Sequence, residues 1–170
     1  VARFCFYGSP FSAQNLTMHW KRLLIRFLSF WPPYLGAGIR VRRISSDYRE
    51  IEVEMRQRWY NTNYVGVHFG GSLYAMTDPF YMLMLIENLG RDYIVWDKAA
   101  SIRFKRPGKG RVSAKFQITE QQLEAIRHAA DHSEKHEPLF KVEVRDDSGT
   151  VVAEVDKLLY VKRRTPLNPL

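Results

Sequence analysis

Residues 70–89 read GGSLYAMTDPFYMLMLIENL. Apolar side chains recur here nearly all the way round a helical wheel, and Gly90 follows where helices commonly end in glycine. A helix apolar on every side has to be buried. The pattern therefore predicts one long helix from Gly70 to Leu89, enclosed by the rest of the chain. Between Gly70 and Ile86 the only charged residue is Asp78. One reading makes it a desolvated carboxylate, a candidate acid, base or nucleophile. The other makes it an N-cap, since Pro79 would then occupy the first helical position. Both remain open. Gly70-Gly71, where the loop enters the helix, allows close approach to backbone N–H groups that can polarise a carbonyl, or is simply a tight turn.

Outward from this helix the pattern becomes strand-like. Upstream, Ile39 and Val41 alternate with Arg40 and Arg42. Ile51, Val53, Met55, Gln57 and Trp59 then alternate with charged neighbours. Downstream, strands are expected over Tyr93–Arg106, Arg111–Thr119, Phe140–Arg145 and Thr150–Lys162, with a short polar helix at 120–134. Pro107-Gly108-Lys109-Gly110 and Asp146-Asp147-Ser148-Gly149 are turn signals. Trp59, Phe104 and Phe116 are expected to be buried. This order implies an α+β domain, an antiparallel sheet curled round a central helix, spanning residues 36–164. Residues 1–35 precede it: an irregular arm, then an amphipathic helix from Leu16 to Trp31 that Pro32-Pro33 should end. Its stripe (Trp20, Phe27, Trp31) should pack on the domain or at a subunit contact, with peripheral membrane contact as the alternative. Residues 165–170 read as a loose tail.

The 170 residues suit one domain. A lone cysteine, Cys5, cannot form an internal disulfide, so a reducing, cytoplasmic setting is the expectation. No apolar run reaches membrane-spanning length, and no secretory signal is evident. The net charge of +8 favours anionic partners. No nucleic-acid recognition motif accompanies it, and none is expected to bind. His128, His132 and His136 recur every four residues but lack the companions of a metal motif, so no metal is expected.

The stretch Asn63-Tyr64-Val65-Gly66-Val67-His68-Phe69-Gly70-Gly71, followed by Asp78, resembles the active-site segment of hotdog-fold acyl-CoA thioesterases of the phenylacetate-pathway type. Asn63, Gly66, Gly70, Gly71 and Asp78 stand at that family's offsets, and Ile102, Phe104 and Pro107-Gly108 resemble its next strand and turn. Phe69 stands where the family has histidine, and His68 lies one residue early. The resemblance implies a hotdog fold with an extra N-terminal helix, and a homodimer or homotetramer with its site at a subunit interface. It also implies thioester hydrolysis without a cofactor. N–H groups near Gly70 and Gly71 would bind the thioester oxygen, Asp78 would act as base or nucleophile, and Asn63 would orient water. Asp97 would be a further carboxylate near the water, or the base that makes up for the missing histidine, or else a strand-edge partner of Lys98, and His68 is a further candidate. Lys105, Arg106, Lys109 and Arg111, crowding the Pro107 turn, could hold coenzyme A phosphates or form a solvated hairpin tip. The alternative to an enzyme is a non-catalytic hotdog module that binds acyl chains or serves assembly.

Overall fold

A computed structural model describes residues 25–164. Cys5, the expected helix as far as Leu24 and the expected tail lie outside the described residues. A short 3₁₀ turn at Leu28–Phe30 leads through extended Trp31 into helix α1, Pro32–Ala37. Pro32 and Pro33 therefore open a helix as well as closing off the segment before it. Proline fits the first turn because the N–H it lacks needs no helical partner there. The stripe divides. Of its described members Leu28 packs on the core, whereas Phe27 and Trp31 are about half exposed; Ile25, off the stripe, is buried.

Strands β1 (Ile39–Ile44) and β2 (Glu50–Arg56) pair antiparallel across a tight turn. Asp47 organises that turn. Its carboxylate accepts from the Ser45 hydroxyl (2.5 Å) and from the backbone N–H and side chain of Arg49, while buried Tyr48 adopts a φ of 56°. Strand β2 stops at Arg56, three residues short of the expected end, so Trp59 leaves the sheet and is 91% exposed.

The Gly70–Leu89 segment is helical in two parts, α2 (Gly70–Ala75) and α3 (Phe80–Leu89). Between them the N–H groups of Thr77 and Asp78 bond three residues back, to Tyr74 and Ala75. Pro79 then has no N–H to offer, which breaks the run. Gly90 ends α3, with its N–H on the Ile86 carbonyl and a φ of 88°, as expected.

The remaining elements are β3 (Tyr93–Phe104), β4 (Arg111–Gln117), α4 (Glu120–His132), β5 (Leu139–Asp146) and β6 (Val151–Arg163). All strand pairs are antiparallel, in the order β1-β2-β4-β5-β6-β3. Strand β3 therefore lies at the far edge, paired with β6, and residues 105–110 cross over to β4 rather than forming a hairpin tip. Phe104, near the end of that edge, is 57% exposed; Phe116, in the middle of the sheet, is fully buried.

Phe80, Tyr81, Met84 and Leu85 of α3 pack into a core with Ile51, Val53, Phe116, Phe140 and Leu159 from the sheet. Tyr81 stacks on Phe140 with centroids 4.4 Å apart, and Phe80 meets Phe116 at 5.0 Å. An antiparallel sheet wrapped round a central helical segment, with a short helix before it, is the hotdog arrangement. Among the described residues no helix is long and apolar enough to cross a membrane.

Candidate active site

Asp78 sits in the break between α2 and α3. Pro79 holds the N-cap position of α3, and no side chain caps that helix, so Asp78 is not a cap. Its Oδ1 accepts from Lys157 Nζ at 2.9 Å and from the Tyr74 hydroxyl at 3.2 Å. Oδ2 makes no hydrogen bond among the described residues, and half of the side chain is open to solvent. One carboxylate oxygen is thus fixed and the other is offered.

Lys157 is fully buried on β6. Its ammonium lies 2.9 Å from Asp78 Oδ1 and 3.0 Å from Asp97 Oδ1, between two carboxylates from separate elements. Burial works against this charge, but the bonds and charges of Asp78 and Asp97 outweigh it, so the ammonium holds its proton more tightly than an ordinary lysine. Burial pushes the Asp97 carboxyl above the usual range; Lys157 draws it back, and Asp78 raises it further. Burial also raises the Tyr74 phenol, in spite of the nearby lysine. Asp97 is therefore not an edge partner of Lys98, which pairs instead with Glu137 at 2.6 Å. The register of β3 slips between Asp97 and Ala99, and at that slip Asp97 meets Lys157 while Lys98 stays exposed.

Neither Lys157 nor Tyr74 stands out in the sequence as a site residue. The signal was nonetheless there. Lys157 is in phase with Val155, Leu159 and Val161, all at most 1% exposed, and a lysine in that register has to find a partner inside.

A separate cleft of about 360 Å³ is lined by Asn63, His68, Gly70, Phe104, Lys105 and Arg106, among others. It joins the glycine loop to part of the cationic cluster. Asn63 is occupied within the loop, where Oδ1 accepts from the N–H groups of Val65 and Val67. The buried His68 ring places Nε2 3.0 Å from the Gly110 carbonyl, and Nδ1 is buried without a partner among the described residues. Burial lowers the His68 pKa and favours the neutral ring. With Nε2–H donating to Gly110, Nδ1 remains an acceptor.

At the start of α2 the N–H groups of Ser72 and Leu73 turn back to the Phe69 carbonyl, whereas those of Gly70 and Gly71 make no such bond. A Cβ on Gly70 would lie 3.0 Å from the Phe104 ring, and one on Gly71 would run into the Phe69 ring. Both positions need glycine as packed. Of the cations, Lys105 pairs with Glu154 (3.1 Å) and Arg111 with Asp147 (2.6 Å). Arg106 and Lys109 form no ion pair among the described residues, which leaves them available to an anion. No cluster of metal-ligating side chains occurs among the described residues. His128 and His132 stack on each other along α4, and the His132 ring bonds back to the His128 carbonyl.

Residues 21–161 match the family described as "Domain of unknown function (DUF4442)". The chain belongs to this family. No curated protein matches it. Among solved structures, similar folds include a Pseudomonas aeruginosa protein of unknown function called "probable thioesterase" (TM-score 0.73, 20% identity). That comparison covers 84% of this chain and 96% of the other. A thioesterase from Haemophilus influenzae aligns at TM-score 0.61 and 16% identity, over 97% of this chain and all of its own. A protein of unknown function from Chlorobaculum tepidum aligns at 0.68 and 13%, over 88% and 96%. These similarities establish the hotdog fold of this DUF4442 protein.

Proposed function

We propose that this protein is a thioesterase that hydrolyses an acyl-CoA or a related thioester. The observation that carries the reading is the placement of two half-sites along one strand edge that is unpaired among the described residues. The cleft holding Gly70 lies at the Phe104 end of β3; the Asp78–Lys157–Asp97 cluster lies toward its other half. Within one copy Gly70 lines the cleft while Asp78, beyond the end of α2, stands with Lys157 and Asp97. Two copies joined antiparallel through β3 about Ala100 would set Phe104 of one opposite the partner's Trp96. The cleft of each copy would then face the partner's Asp97 and Asp78. A dimer of this kind makes two complete sites.

In such a site the thioester oxygen accepts from the N–H groups of Gly70 and Gly71, which stabilise negative charge as the carbonyl is attacked. Asp78 takes a proton from water, and the water oxygen bonds to the carbonyl carbon. As the C–S bond breaks, that proton passes to the departing thiolate, giving a carboxylic acid and a thiol. Direct attack by Asp78, with a transient anhydride hydrolysed by water, is the nucleophilic version of the same arrangement. Arg106 and Lys109 are the cations free to meet coenzyme A phosphates. The structural neighbours called thioesterases support the reading by analogy of fold.

A second reading, a non-catalytic acyl-binding or assembly module, is favoured by Phe69, whose ring lies against Gly71 where the resembled enzymes have histidine. One experiment separates the two: hydrolysis measured across acyl-CoA chain lengths for wild type and Asp78→Ala. The thioesterase reading expects turnover by wild type and a loss of about 100-fold or more in the variant. Absence of wild-type turnover, or equal rates in the two proteins, overturns it.

A further inference from the structure

We infer that Lys157 is a positioning residue that holds Asp78 in one orientation, with Asp97 as the second carboxylate beside its ammonium. The inference rests on the thioesterase reading and assigns a role to a residue that the resemblance does not include.

The geometry carries it in three steps. First, the position is apolar in kind. Lys157 falls between Val155 and Leu159 on the inward face of β6 and is fully buried, where leucine or methionine would serve packing without the desolvation cost of a charge. Second, both near neighbours of the ammonium are carboxylates, and they come from different elements: Asp78 after α2 and Asp97 on β3. A lysine needed only to fill space would not require two. Third, the donors converge. Lys157 Nζ and the Tyr74 hydroxyl both bond to Oδ1 of Asp78, which fixes the side chain and turns Oδ2 outward. Asp78 lies in a helix break, so these side-chain donors are what set its direction. The titratable groups packed around it are Tyr74 on α2, Lys157 on β6, Asp97 on β3 and Tyr34 on α1. The Tyr34 hydroxyl donates to the Ala75 carbonyl at 3.2 Å. Burial first, and then the Asp78 charge, keep that phenol protonated.

The test uses the full chain carrying Lys157→Met, with Lys157→Arg as the charge-retaining control. Lys157→Met should lower kcat about 100-fold, on the scale of a general base that has lost its alignment, with KM within about threefold. Its thermal midpoint should fall, since removing the ammonium leaves Asp78 and Asp97 without their shared counter-charge, so the two proteins are compared well below the variant's midpoint. Lys157→Arg, which keeps the charge, should recover about tenfold or more of the lost kcat. The double variant Lys157→Met, Asp97→Asn should recover much of the midpoint while kcat stays low. Wild-type kcat in Lys157→Met, or a kcat that returns with the midpoint in the double variant, would overturn the inference and leave the thioesterase reading standing. If the wild type turns over no thioester, the preceding reading fails and this inference fails with it.

Discussion

Val155, Lys157, Leu159 and Val161 share the inward face of β6, and only one of them carries a charge. Asp78 was legible in the sequence because it stands alone among apolar residues, and its solitude holds along the helix. Its partners were not legible. Lys157 and Asp97 reach it across 79 and 19 positions of chain, and such pairing is fixed by strand register, not by local pattern. The N-cap reading of Asp78-Pro79 was equally consistent with propensity and fell because Pro79 itself takes the N-cap position, while Lys157 and Tyr74 bond the Asp78 carboxylate. Asp47 gives a test at the same scale. Hydrogen bonds from Ser45 and Arg49 hold its carboxyl down to about 2, against an ordinary value near 3.8. A depressed folded-state pKa contributes stability above the unfolded value and loses it as pH falls through the folded one. Asp47→Asn should therefore be less stable than wild type at pH 7, by no more than about 1 kcal/mol for so solvated a group. Denaturant unfolding at stepped pH should show that gap closing between about pH 4 and pH 2.

Among elements, periodicity located every strand of the domain to within a few residues. Ends were less secure. Strand β2 was carried to Trp59 because alternation persists in sequence after pairing has stopped at Arg56. The central helix was read as unbroken because Pro79 falls where its missing N–H costs one bond and leaves the apolar pattern intact. Helix α4 shows a start signal realised in full. The Thr119 hydroxyl accepts from the Gln122 N–H at 3.2 Å, and the Gln122 side chain accepts from the Thr119 N–H at 2.9 Å. Leu123, Ile126 and Ala130 then bury its inner face. Thr119→Ala should cost about 1 kcal/mol of unfolding free energy. Restoring the cap with Thr119→Asp should recover most of it in denaturant titrations.

For the whole molecule, the sheet order is what the sequence could not supply. Adjacent strands in the chain suggested that β3 and β4 meet at the Pro107 turn, yet β3 pairs with β6 and closes the opposite edge. Only that placement puts the cationic crossover beside the glycine loop and lines Asp97 up with Asp78. The proposed dimer depends on the outer side of β3, where Ala99, Ala100 and Ser101 are exposed. Lysines at an edge resist strand addition. The double variant Ala99→Lys, Ser101→Lys should run as a monomer in light scattering coupled to gel filtration. It should also lose thioester turnover along with the dimer. A variant that stays dimeric would move the interface elsewhere.

The two rims of the sheet differ in a way that limits growth. At β1 the register slips between Val41 and Arg43, and Arg40, Arg42 and Arg43 project from the outermost strand. A kinked, cationic rim is a poor template for another chain. Strand β3 slips too, between Asp97 and Ala99, but from Ala99 to Ile102 it carries no charge, and Ala99, Ala100 and Ser101 are exposed. A body with one receptive rim can join once. Two such bodies would consume each other's open side and present only guarded rims, so the dimer proposed through β3 would close on itself where two receptive rims would permit a fibre.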